Sequence, residues 1–296
     1  MRIVTFSHAG RIGAGVLVGN GEEILDFTAS ALDLPKPEQH IGWFDLDGAP
    51  LRAAMDLVEQ SELTQLRSSG AVLDRAQVTL MAPVPDPRKY ICIGLNYKDH
   101  ARESGMELPE SPVVFSKFPT CVIGPDDAVR LPAGSDQGDF EAELAVIIGR
   151  RASRVTVDQA FDYVLGYTCT NDVSERRYQF ADGQWQRGKS CDTFGPLGEY
   201  IATKDEIPDP HKLRIGLRLN GETMQDSNTD QLEFDVPNLV SFLSQSITLE
   251  PGDIIATGTP PGVGFARTPP VYLKDGDVME VEIEGLGVLR NPVVGS

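Results

Sequence analysis

The chain has 296 residues, with 26 basic and 44 acidic side chains and a formal net charge of −18, and its pI is near 4.6. So acidic a chain lacks the basic face with which proteins neutralise nucleic-acid phosphates or anionic lipid headgroups, and neither a nucleic acid nor a membrane is an expected partner. Its length and 41% hydrophobic content suit one large globular domain or a large and a small one.

The start, Met1-Arg2-Ile3-Val4, does not read as a signal peptide, and no apolar run approaches the ~20 residues of a spanning helix. Cys92, Cys121, Cys169 and Cys191 show no metal-ligand spacing, so reduced thiols in a cytoplasmic protein are expected. Apolar residues at 16–18 and 24–27 flank Gly19-Asn20-Gly21, a hairpin signal because such turns need positive φ. Leu51, Ala54, Met55 and Val58, and less regularly Leu63 and Leu66, predict one amphipathic helix over 51–66, closed by Gly70. Pro83, Pro85 and Pro87 predict a linker over 83–89, dividing a small N-terminal domain, 1–82, from a larger one, 90–296.

Beyond the linker, apolar runs at 90–95, 113–115, 144–148, 164–170, 213–219, 253–257 and 278–283 predict strands. Thr156 and Gln159 read as the capping box of one short helix, and Pro237 opens another that runs to about Gln245. Strands outnumber helices and do not alternate with them. The expected class is α+β, mostly β, with a mixed and largely antiparallel sheet.

The most informative segment is 139–149, in which Glu141 and Glu143 lead into the apolar run of a strand buried on both faces. Side chains alternate along a strand, so both carboxylates point the same way. Buried together they repel and lose hydration. The next apolar strand ends in Asn171-Asp172, which brings a third carboxylate within reach if the two strands pair. An all-oxygen, anionic set selects a hard cation, Mg²⁺ or Mn²⁺ before Zn²⁺. The alternative for the two glutamates is a solvated strand end balanced by arginines.

These residues and three further blocks resemble the fumarylacetoacetate hydrolase family. The blocks are Asn171-Asp172-Val173-Ser174-x-Arg176, Gly188-Lys189-Ser190-x-Asp192-x-Phe194-Gly195-Pro196 and Gly258-Thr259-Pro260-Pro261-Gly262-Val263-Gly264. The likeness spans 90–294. Within the family, Asn96-Tyr97-x-Asp99-His100 and Cys191-Asp192-Thr193-Phe194 are similar to bacterial enzymes that hydrolyse 2,4-diketo-3-deoxy sugar acids. The resemblance implies a mixed β-roll behind a small α/β N-terminal domain, assembled as a homodimer. It also implies one Mg²⁺ or Mn²⁺ per subunit on Glu141, Glu143 and Asp172, with no organic cofactor.

The family's shared step is enolate formation beside a 2-keto acid, with the metal as Lewis acid. The leading expectation is hydrolysis of the C–C bond of a 2,4-diketo acid of the acylpyruvate type, with a 2,4-diketo-3-deoxy sugar acid as the candidate, giving pyruvate and a second carboxylic acid. Oxaloacetate decarboxylation or tautomerisation and 2-hydroxy-dienoate isomerisation use the same machinery. A non-catalytic metal-binding module is the reading from another class.

His100 and Glu103 resemble the family's HxxE pair, spaced to share a face if 99–105 forms a helical turn, with His100 as base and Glu103 orienting it. The residues that follow, 104–109, are expected to form a lid. Lys189 matches the family lysine at the developing oxyanion. Arg176, Gln179 and Thr259 match substrate-binding positions. Asp182 and Gly183 depart from the founding hydrolase, which implies different recognition of the substrate's far end. Arg177 and Arg187 are read as surface charges, and Trp43, Trp185, His8 and His211 as packing residues. The Gly258–Gly264 run has neither the order of a dinucleotide loop nor a Walker lysine.

Overall fold

A computed structural model describes every residue except Met106, Asp182 and Ser296, together with all side chains but those three and Ser104. The expected lid at 104–109 and the expected divergence at Asp182 therefore fall partly outside the described residues.

The first eighty residues give strands β1 (Arg2–His8), β2 (Arg11–Val18), β3 (Glu23–Asp26) and β4 (Val72–Asp74), with helices α1 (Ala49–Gln60) and α2 (Leu63–Ser68) between the last two strands. Strand β5 (Tyr90–Gly94) leads into α3 (Lys98–Ser104) and β6 (Val113–Lys117). Strands β7 (Ala142–Ile148) and β8 (Val164–Asn171) precede two short helices, α4 (Arg176–Ala181) and α5 (Gln186–Lys189). The remainder supplies β9 (Ile201–Thr203), β10 (Arg214–Leu219), β11 (Glu222–Asn228), α6 (Val236–Ser244), β12 (Ile254–Ala256), β13 (Val278–Ile283) and β14 (Gly287–Val294).

The large sheet runs β4-β3-β2-β1-β9-β8-β7-β12-β5-β6, with Thr79–Leu80 added on β1. The β5–β12 pair is parallel, and the other named neighbours are antiparallel. The second sheet runs β11-β10-β13-β14 and ends on Val129–Arg130. It packs across β7 and β8, and every residue of those two strands is buried. The fold is thus the expected mixed, mostly-β roll. Residues 83–89 carry no regular element, and strands from either side of them share the large sheet, β1 pairing with β9.

Four local expectations meet different outcomes. Gly19, Asn20 and Gly21 all take positive φ between β2 and β3, as the turn signal requires. The single helix over 51–66 is instead two, because the chain turns extended at Ser61 and Glu62. Val58 and Leu63 are five residues apart, about 140° around a helix, so one straight helix cannot bury both. At Thr156 the hydroxyl bonds the Gln159 side chain (3.0 Å) rather than a backbone N–H. The turn over Val157–Tyr163 winds as 3₁₀, not α. The helix at Pro237 forms as α6, capped by Asp235, whose carboxylate accepts from the Asn238 N–H (3.0 Å). Among the described residues no helix is long and apolar enough to cross a membrane.

Candidate active site

Glu141 stands just before β7, and Glu143 lies two residues on, inside it. Antiparallel pairing puts Ala142 opposite Asn171. The Glu141 N–H donates to Asn171 Oδ1 and the Asp172 N–H to the Glu141 carbonyl, each at 2.9 Å. This double tie fixes Asp172 beside the two glutamates. The three carboxylates offer oxygens that lie within 4.8 Å of one another, and none of the three side chains is more than slightly exposed.

Cations surround two of the three. Lys189 Nζ, at the end of α5, lies 2.8 Å from Glu141 Oε2 and 2.7 Å from Asp172 Oδ2. Lys117, the last residue of β6, donates to the other Asp172 oxygen and to the Val173 carbonyl. Arg176 Nη2 is 2.7 Å from Glu141 and 2.8 Å from Asp139. Burial alone would raise the Glu141 carboxyl, but Lys189 and Arg176 outweigh it and lower its pKa to about 2. Glu143 differs. Its Oε2 accepts from the Gly258 N–H (2.8 Å), and burial, with Asp172 and Glu141 alongside, pushes its carboxyl well above the usual range.

Four buried carboxylates, with Asp139 as the fourth, therefore face three buried cations. An all-oxygen set with surplus negative charge at Glu143 is the chemistry that a hard divalent ion satisfies. Glu141, Glu143 and Asp172 fit one.

The site opens on a cavity of about 170 Å³ whose lining includes His100, Glu141, Glu143, Arg176, Lys189 and Thr259. His100 is carried in by α3, and its Nδ1 lies 3.4 Å from Glu103 Oε2. The same carboxylate oxygen accepts from the Gly262 N–H (3.1 Å), which ties α3 to the glycine-rich loop. Gln179, one turn after Arg176, accepts from Arg176 Nη1 (2.8 Å). Thr259 Oγ1 accepts from Gln225 Nε2 (2.8 Å). Gly262 has a φ of +103°, and a Cβ there would stand 2.1 Å from the Met224 carbonyl, so no other residue allows this approach.

Seven of the nine sequence-derived site residues thus line one cavity, and the other two, Glu103 and Asp172, contact its lining through His100 and Lys189. Four others were not singled out for the site. Lys117 and Gln225 carried no visible signal. Asp139 holds Arg176 and also accepts from the N–H groups of Gly264 (2.7 Å) and Phe265 (3.0 Å). Trp185, read as plain packing, lines the cavity instead. Arg177 and Arg187 are exposed, as expected. A wider depression on the second sheet, between Arg214, Arg218 and Glu282, is lined by charges already paired with one another.

Comparison with known proteins places this geometry. The family profile described as fumarylacetoacetate (FAA) hydrolase C-terminal matches residues 89–294. The mitochondrial oxaloacetate tautomerase FAHD2A of Bos taurus is 45% identical over 298 residues, covering 99% of this chain and 92% of the relative. Two solved structures match over the full length of both chains. They are the fumarylacetoacetate hydrolase of Exiguobacterium antarcticum (TM-score 0.81, 36% identity) and the 5-carboxymethyl-2-hydroxymuconate delta-isomerase of Mycobacterium smegmatis (TM-score 0.78, 34% identity). With its carboxylate trio, lysine and glycine-rich loop assembled in one fold of this kind, the chain belongs to the fumarylacetoacetate hydrolase family.

Proposed function

We propose that this chain is a divalent-metal-dependent enzyme that interconverts the keto and enol forms of a short 2-keto acid, with oxaloacetate as the first substrate to test. The observation that carries the reading is the convergence of Glu141, Glu143 and Asp172 on one point beside Lys189 and His100. The similarity to an oxaloacetate tautomerase over nearly the whole chain supports it. Bound at the three carboxylates, Mg²⁺ or Mn²⁺ would supply Lewis acidity at the 2-keto group.

The chain's own groups do the rest. The Lys189 ammonium, held between two carboxylates, meets the oxygen on which negative charge develops. Glu103 takes the His100 Nδ1–H, which leaves Nε2 as the free nitrogen. His100 Nε2 removes the proton at C3 and returns it to the enol oxygen, so no atom is gained or lost. Arg176 and Thr259, each fixed by its own partner, orient the substrate carboxylate.

The experiment is to follow enol absorbance of oxaloacetate with added Mg²⁺ or Mn²⁺ and with chelator. The metal-loaded protein accelerates the interconversion, and the Glu141→Gln/Glu143→Gln double variant loses at least about a thousandfold. Full activity of that variant without metal overturns the reading. Hydrolysis of an acylpyruvate is the second reading, favoured by the His100–Glu103 pair, which suits activation of water as well as it suits proton transfer. Release of pyruvate from acetopyruvate, abolished in His100→Ala, distinguishes it.

We further propose a homodimer, checked by light scattering, and a reducing cytoplasmic setting for the four free cysteines. The bovine relative's name says mitochondrial, and cell fractionation decides between the two.

A further inference from the structure

The cavity lining is part charged and hydrogen-bonding and part aromatic. Phe115 and Trp185 line it with rings edge-on at 5.3 Å between centroids and 71° between planes, and Phe180 and Phe265 form a second edge-on pair, with Arg176 stacked over Phe265. The first pair adjoins the lysine, because Lys189 Nζ lies 5.1 Å from the centre of the Phe115 ring. A substrate whose keto-acid end sits at Lys189 therefore directs its remaining carbons to the aromatic side.

The indole is seated by an omission. Gly94 ends β5 without the positive φ that would demand glycine. An added Cβ would stand 2.6 Å from Trp185 Cζ3 and 3.1 Å from Cη2. Glycine in a strand weakens it and marks a place that something else must approach; here that is the Trp185 ring. The next residue, Leu95, lines the same side with a φ of +53°. A branched side chain avoids that region, and holds it only where the surroundings fix it.

We infer that Gly94, Phe115 and Trp185 form a distal specificity subsite that accepts a short flat or alkyl C4 substituent and rejects a polyhydroxylated one. The inference rests on the 2-keto acid reading above and narrows it for substrates longer than oxaloacetate, whose chain ends at its C4 carboxylate. Hydroxyls laid against these carbon surfaces lose water without gaining partners, so the sugar-acid tail suggested by the sequence is the wrong class for this pocket.

The test uses the Mg²⁺-loaded full chain with acetopyruvate and with a 2,4-diketo-3-deoxy sugar acid. Wild type favours the methyl-tailed substrate by about a hundredfold in kcat/KM. Trp185→Ala narrows that ratio by about tenfold, and Gly94→Ala, which displaces the ring into the cavity, lowers turnover of longer alkyl tails relative to methyl by a similar factor.

Binding keeps the subsite separable from the reaction. In a Trp43→Phe background, Trp185 fluorescence is titrated with 2-oxohexanoate and with its 4,5,6-trihydroxy counterpart. Tighter binding of the alkyl acid by about tenfold or more supports the subsite even if no 2-keto acid, oxaloacetate included, is turned over, an outcome that removes the proposed function alone. Equal affinities for the two acids, or a substrate ratio unmoved in both variants, overturn the inference.

Discussion

At β3, Glu23 meets the α2 residue Arg67 through two contacts of 2.9 and 2.5 Å, with side-chain exposures of 24% and 49%. At the end of β8, Asp172 meets Lys117 and Lys189 with none of the three more than 2% exposed. Both sets belong to the same sheet. In water the first pair exchanges one set of hydrogen bonds for another and contributes little. The second is out of water, where each charge depends on its partners and removing one strands the others. The N-terminal part of the sheet uses charge to finish a surface, while the β7–β8 part uses it to hold an arrangement that would otherwise fly apart.

Lys117→Met attacks this contrast most strongly. It leaves one Asp172 oxygen and the Val173 carbonyl without a donor, and should cost about 3–5 kcal/mol in urea unfolding. Because the variant carries more uncompensated negative charge, Mn²⁺ should recover a larger part of its stability than it adds to wild type. A loss no bigger than that of a surface pair would mean that the buried lysine is not holding Asp172.

Asp139→Asn is the intermediate case. It weakens the grip on Arg176 and on the Gly264 and Phe265 amides together. The expected result is a loss of about 1–3 kcal/mol, with KM rising more than kcat falls, because the arginine is displaced rather than removed. Glu23→Gln is the smallest: the melting temperature and turnover should stay within the scatter of wild type. A clear drop in either would erase the distinction between the two regions.

The same contrast explains what was readable from the sequence. Glu141 and Glu143 announce themselves because an apolar run of strand periodicity makes two acids conspicuous. Asp172 follows because it ends the next such run. Lys117 carries no such signal, since it closes an ordinary β6 and finds its partner 55 residues away only when the sheet is assembled. Asp139 sits in the informative segment, yet its value lies in amides 125 and 126 residues distant. Trp185 escapes notice because its meaning depends on the missing side chain of Gly94. Local periodicity likewise finds β5, β7, β8 and β13 but not the break at Ser61, where the chain turns extended between α1 and α2.

The placement of β9 bears on how the molecule is made. Arg2 and Ile3 pair with Ala202 and Ile201, so this flank of β1 meets its neighbour only after some two hundred further residues have been synthesised. At ~5–20 residues per second that is about 10–40 s of translation. Through that interval the Arg2–Ile3 end of the first hairpin keeps its outer backbone donors and acceptors unclaimed, although Thr79–Leu80 covers the Phe6–Ser7 end much earlier, and an open edge of this kind can recruit identical nascent chains. Yield during expression therefore depends on how crowded the polysome is as well as on the stability of the finished protein.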